Sequence, residues 1–149
     1  MRICLFRPDM PGNFGTIIRS LACFGINSID VILPTGFILD SREVKRSMLD
    51  YGANFEINKF LNFEEFRASA GNGNIILLTT KSEKEYTKYR FQNDDILLFG
   101  SESAGVTTEV HEQVDERICV VMKNNMRSLN LAITVGIVTS EAVRQLSEN

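Results

Sequence analysis

Three short stretches place polar side chains where an otherwise apolar chain has little structural need of them. In "NNMRSLNLAITVGIV", Arg127, Ser128 and Asn130 stand directly ahead of a long apolar helical run. Only one residue can be the N-cap of that helix, since the position is single and its side chain accepts one or two of the unpaired amides. Either Ser128 or Asn130 is left over, and beside Arg127 the remaining group suits hydrogen bonding to a ligand. In "PGNFGTIIRS", Asn13 and Gly15 form a turn whose backbone can approach a ligand, and Arg19, four residues on, shares a helical face with Gly15. An Asn cap, a permissive Gly and a surface Arg account for the same residues. In "LLFGSESAGV", Glu102 is the sole acid between Gly100 and Gly105, so the end of a strand offers backbone amides and one carboxylate. A plain strand-to-loop turn requires less.

Several other chemistries are excluded. Gly71 and Gly73 precede a strand instead of following one, so they cannot present a helix N-terminus to a pyrophosphate, and no GKS or GKT occurs. The single His111 lacks partners at metal or triad spacing and reads as a solvated helix residue. Cys4, Cys23 and Cys119 lie among apolar neighbours without CxxC spacing, which reads as reduced core packing, and no metal site is expected. The net charge of −3 argues against loose, charge-driven binding of nucleic acid. Selective RNA contact stays open through two basic clusters, Arg42, Lys45 and Arg46, then Lys81, Lys84, Lys88 and Arg90, which by charge alone read as solvated faces.

The elements that must position these groups alternate along the chain. "RICLF", "SIDVILP", "NIILLTT", "DILLF" and "RICVVM" read as strands, and helices are predicted over 13–24, in "NFEEFRASA", in "TTEVHEQV" and from Leu129 to Leu146. Strands this apolar are covered on both faces, so the fold class is α/β with a mainly parallel sheet, in one domain spanning 1–149. Four polar loops then meet at the strands' carboxyl edge, where such sheets bind ligands. No apolar run reaches membrane-spanning length and the start lacks a secretory signal pattern, so a cytoplasmic protein without membrane contact is expected.

In this order, "NFGTIIR", "FGSESAG" and "RSLNLA" resemble the three motifs of the SPOUT RNA methyltransferases, nearest to the small single-domain group that 2′-O-methylates the wobble nucleotide of tRNA. "LDYG" and "LTTK" are also similar to stretches of that family, so the resemblance covers essentially the whole chain. It implies a deep C-terminal trefoil knot, which is rare in proteins. It further implies S-adenosylmethionine held by Leu78, Thr79, Gly100, Glu102, Gly105, Val120, Ser128 and Leu129, tRNA as substrate, and a homodimer whose subunits build each site together. Arg19, Asn13, Ser128, Asn130 and Glu102 are the implied catalytic set, with Arg19 as the family's proposed base. A guanidinium holds its proton firmly, so orienting the hydroxyl or a phosphate suits Arg19 better. Glu102 is expected to orient Asn130 or Arg19 from behind. Ser101, Ala104 and Ala132 depart from the resembled pattern, which has Pro, a basic residue and Ser there. The alternatives are a knotted RNA-binding protein without catalysis and a doubly wound nucleotide binder, the latter opposed by the missing glycine fingerprint.

Overall fold

Apolar runs of four or five residues become the central strands of one sheet because each is covered on both sides, and shorter or more polar segments pair along the two edges. They are β1 (Arg2–Phe6), β2 (Ser28–Ile32), β3 (Glu56–Phe60), β4 (Ile75–Leu78), β5 (Ile96–Phe99) and β6 (Glu116–Ile118). The computed structural model describes residues 1–148 except 53 and 125. All pairings are parallel, in the order β3-β2-β1-β5-β4-β6. The helices are α1 (Pro11–Cys23), α2 (Arg42–Met48), α3 (Phe63–Ser69), α4 (Thr108–Gln113) and α5 (Leu131–Ser147). A one-turn 3-10 helix, Leu49–Gly52, follows α2.

The period-2 alternation of the strands divides the core. Ile3 and Leu5 of β1 pack with Ile17, Ile18 and Leu21 of α1 and with Val135, Val138 and Ala142 of α5. Cys4 and Phe6 face the other way, toward Phe63 and Phe66 of α3 and Val110 of α4. The order of strands reverses across the β1–β5 pair, and at such a switch the loops from neighbouring carboxyl ends part to leave a crevice.

Two elements lie outside the sequence expectation. α2 buries only Val44 and Met48, too short an apolar pattern to register as a helix, and it is started by Ser41, whose hydroxyl accepts from Val44 N–H at 3.2 Å. β3 is an edge strand whose residues are mostly exposed, so its polar sequence "EINKF" hides it. α1 starts two residues early, at a proline suited to a helix's first turn. Gly15 is consequently inside the helix and buried, not in a ligand-facing turn. A Cβ there would lie 1.9 Å from Ser47 Oγ, so glycine is required by the close approach of α2. Cys4 and Cys119 are buried as expected, whereas Cys23, at the end of α1, is exposed.

Candidate functional site

Beyond the carboxyl ends of β4, β5 and β6 lies a cavity of about 540 Å³, the size of a cofactor pocket. Its walls are the loops predicted to converge: Leu78 to Lys81 after β4, Gly100 to Glu102 and Ala104 to Val106 after β5, Val120, Met122 and Arg127 to Asn130 after β6, and Met10 and Asn13 after β1. β6 ends at Ile118, earlier than "RICVVM" suggests, and Val120 reaches the cavity from irregular backbone two residues beyond.

The β5 loop closes on itself. Ser101 and Gly105 exchange backbone hydrogen bonds at 3.0 Å, and Gly105 has φ of +69°. A Cβ on Gly100 would stand 2.6 Å from the Gly105 backbone, so the glycine pair is set by this closure, and bare backbone lines the cavity as a result. Ser101, standing where the resembled motif has Pro, contributes to the closure: its hydroxyl accepts from Ala104 N–H at 3.2 Å and donates to Gly105 O at 3.3 Å.

A chain of hydrogen bonds ties three motif loops together. Asn130 is the N-cap of α5, its Oδ1 accepting from Ala132 N–H at 2.8 Å and Ile133 N–H at 3.3 Å. With that oxygen engaged, Asn130 Nδ2 donates to Asn13 Oδ1 at 3.0 Å, and Asn13 Nδ2 in turn donates to Glu102 Oε1 at 2.9 Å. The other oxygen of Glu102 accepts Asp9 N–H at 3.0 Å. Glu102 therefore orients Asn130, through Asn13, and makes no contact with Arg19. Asp9 returns the link, accepting from Ser103 N–H at 3.2 Å and from the Ser103 hydroxyl. Burial pushes the Asp9 carboxyl up, but hydrogen bonds led by the Ser103 hydroxyl outweigh it and hold Asp9 below the usual carboxylate range. Sequence reasoning missed Asp9. Its partner is ninety-four residues away, so no local spacing could have revealed it.

The leftover group ahead of α5 is Ser128, exposed at the cavity wall together with Leu129. Asn130→Ala should lower the unfolding free energy by about 1 kcal/mol in urea titration, while Ser128→Ala should leave it unchanged. Equal losses would contradict the cap assignment.

All eight cofactor-binding positions implied by the resemblance, Leu78, Thr79, Gly100, Glu102, Gly105, Val120, Ser128 and Leu129, line this one cavity. Arg19 does not. It is exposed on α1 and lines a second, shallower cleft of about 330 Å³ with Thr16, Ser20, Cys23, Phe24 and Tyr51. His111 departs from its expectation as well. It is half-buried at the cavity wall, because Arg117 folds back to donate to its Nδ1 at 3.2 Å and its carbonyl at 2.9 Å. Burial, followed by the charges of Arg117 and Lys81, pushes its pKa below the ordinary histidine value. Among the described residues no cluster of three His, Cys, Asp or Glu side chains could hold a metal ion.

Comparison with known proteins agrees with this geometry. The profile of the SpoU rRNA Methylase family matches residues 1–140. The tRNA (cytidine(34)-2′-O)-methyltransferase of Beijerinckia indica is 39% identical over 147 residues, 97% of this chain and 91% of that one. A solved structure reported for the 2-OH methylation of C/U34 on tRNA superposes with a TM-score of 0.92 at 31% identity, over 99% of this chain and 97% of the other. An AdoMet-bound rRNA methyltransferase from Sinorhizobium meliloti superposes at 0.88 with 28% identity, over 97% of this chain and 56% of that longer one.

Proposed function

The chain belongs to the SpoU rRNA methylase family, and on that premise we propose that it transfers a methyl group from S-adenosylmethionine to the 2′-hydroxyl of the wobble cytidine or uridine, nucleotide 34, of tRNA. The observation that carries this reading is the joining of the three motif loops, by Glu102, Asn13 and Asn130, at the mouth of one cavity of cofactor size. A binder without catalysis would have no use for that ordered chain.

The cavity suits the cofactor. Its donors are the backbone of a glycine loop, the hydroxyls of Thr79 and Ser128 and apolar walls from Leu78 and Val120. Bound there, S-adenosylmethionine supplies a methyl group on a sulfonium. The protein's share is orientation, the largest contribution open to a site without a strong base. Ser128 and the amide of Asn130 stand at the rim to position the ribose hydroxyl as it loses its proton. The guanidinium of Arg19 orients that hydroxyl or the adjoining phosphate.

Arg19 lies outside its own chain's cavity, so the complete site needs a second copy, with Arg19 of the partner subunit facing the cavity of the first. The exposed Ile133 on α5, at 53%, and the exposed Met10 and Leu129 beside the cavity give such a homodimer its apolar contact. The threading of the C-terminal segment into a trefoil knot belongs to the same proposal, as does a cytoplasmic location beside the tRNA pool. No helix among the described residues is long and apolar enough to cross a membrane.

Mass-spectrometric mapping of ribose methylation in tRNA from cells with and without the gene tests the reading, and unchanged methylation at nucleotide 34 would refute it. Sedimentation at micromolar concentration should give a dimer, and a stable monomer would remove the shared site. Calorimetric binding of S-adenosylmethionine should persist in the presence of a chelator, because the loops offer amides, hydroxyls and one carboxylate and, among the described residues, no ligand cluster.

A further inference from the structure

The basic residues of α2 take no part in the cavity, yet their arrangement has a consequence for the substrate. Arg42, Lys45 and Arg46, at i, i+3 and i+4, are all exposed on one face, while Val44 and Met48 bury the other. None of the three pairs with a carboxylate among the described residues, and the nearby Asp40 lies 3.9 Å from Lys59. Arg2, Arg67, Lys84, Lys88 and Arg144, by contrast, each hold an acid. An acidic chain thus keeps three uncompensated positive charges together on one short helix.

That helix runs into the wall of the Arg19 cleft. At the joint, Leu49 has φ of 53° and ψ of −144°, a strained conformation for a leucine. The joint is braced by Met48, whose side chain lies against Gly52, where a Cβ would meet it at 3.2 Å. The turn so fixed presents Tyr51, 47% exposed, at the wall shared with Arg19. A flat ring, a guanidinium and a run of unpaired cations together match an unpaired nucleotide, whose base stacks on the ring and whose phosphates follow the charges. A cleft of about 330 Å³ accommodates one nucleoside and little more.

We propose that the cleft between α1 and the Leu49–Gly52 turn binds an unpaired nucleotide next to the one that is methylated, its base stacked on Tyr51 and its backbone along Arg42, Lys45 and Arg46. The proposal rests on the RNA methyltransferase reading above. Under that reading Arg19 sits at the reacting ribose, and Arg19 and Tyr51 are walls of the same cleft, so the stacked base is a neighbour of the target.

The test uses the full-length protein and an anticodon stem-loop carrying 2-aminopurine beside nucleotide 34. Binding to the wild type should quench the fluorescence, Tyr51→Phe should retain the quench, and Tyr51→Ala should abolish it and raise the KM for RNA about tenfold. S-adenosylmethionine affinity should stay within about two-fold in each, since Tyr51 is no part of that cavity. Changing Arg42, Lys45 and Arg46 together to Gln should flatten the dependence of log affinity on log salt by roughly 0.7 for each phosphate that is no longer neutralised. All three are exposed, so this variant keeps the fold and decides the matter if Tyr51→Ala does not. Absence of quenching in the wild type, or an unaltered salt slope, overturns the proposal. So does a Tyr51→Ala variant that dissociates in sedimentation while keeping its KM and quench, which would assign the cleft to a second copy of the chain. Quench and slope are read without turnover. Loss of methylation at nucleotide 34 with both retained would therefore refute the assigned reaction and leave the cleft standing.

Discussion

Arg19→Ala should reduce methyl transfer by about a hundred-fold or more while leaving S-adenosylmethionine affinity within a few-fold of wild type. The division follows from position: Arg19 is absent from the cavity wall, where Gly100, Val120 and Ser128 stand. Arg19→Lys should not restore the rate, because lysine keeps the charge and loses the planar fork that can hold a hydroxyl and a phosphate at once. Full rescue by lysine would reduce Arg19 to a point charge on the RNA backbone. The shared site adds a sharper test. Gly100→Leu should abolish cofactor binding, since even a Cβ there meets the Gly105 backbone at 2.6 Å and the loop that lines the cavity cannot close. Refolding Arg19→Ala together with Gly100→Leu should recover about a quarter of wild-type activity, because random pairing makes half the dimers mixed and each mixed dimer holds one intact site of two. An active Arg19→Ala enzyme would refute the mechanism, and a mixture as inactive as its parents would place Arg19 and the cavity in the same subunit's site.

What could be read from the sequence and what could not separate along a physical line. The strands packed on both faces announced themselves, since β1, β4 and β5 have no polar face to dilute the pattern. β3 escaped because an edge strand needs only one apolar side, and α2 because two buried residues make no period. The convergence of the polar loops followed from parallel topology alone. Individual roles at the site did not follow, because they depend on contacts between residues far apart in the chain. The choice between Ser128 and Asn130 as cap turns on which side chain accepts from Ala132 and Ile133, and the further role of Asn130 on Asn13, 117 residues away, which receives its NH2. Gly15 looked like a ligand-facing turn because its true constraint, Ser47, sits on the helix that sequence had missed. His111 looked solvated because Arg117, which draws it inward, lies on the following strand. Arg19 is on the surface of α1, as a surface Arg would be, but the face it was expected to share with Gly15 at the site is not a ligand-facing one: Gly15 is buried against Ser47 and Arg19 lines a separate cleft.

Glu102→Gln should disable the site although it keeps the shape of the side chain. The direction of the hydrogen-bond chain is imposed by α5, whose first amides require the oxygen of Asn130. From there each amide has one allowed orientation, nitrogen toward the next oxygen, until Glu102 ends the chain by accepting twice, from Asn13 Nδ2 and from Asp9 N–H. Glutamine can accept on one side only. If its oxygen stays with Asn13, its NH2 confronts the Asp9 amide. If it turns over, the NH2 confronts that of Asn13, and turning Asn13 only moves the clash to Asn130 and threatens the helix cap. Every arrangement leaves two donors facing each other in a partly buried place, at a cost of about 2 kcal/mol. Stability in urea should fall by about that amount, and turnover by roughly thirty-fold or more as Asn130 loses its set position at the rim. Asn130→Ala removes the same chain from its other end, so the double variant should be little worse than the worse single one in both stability and rate. Strict additivity would mean that Glu102 and Asn130 act independently and that the chain through Asn13 carries no orientation to the site.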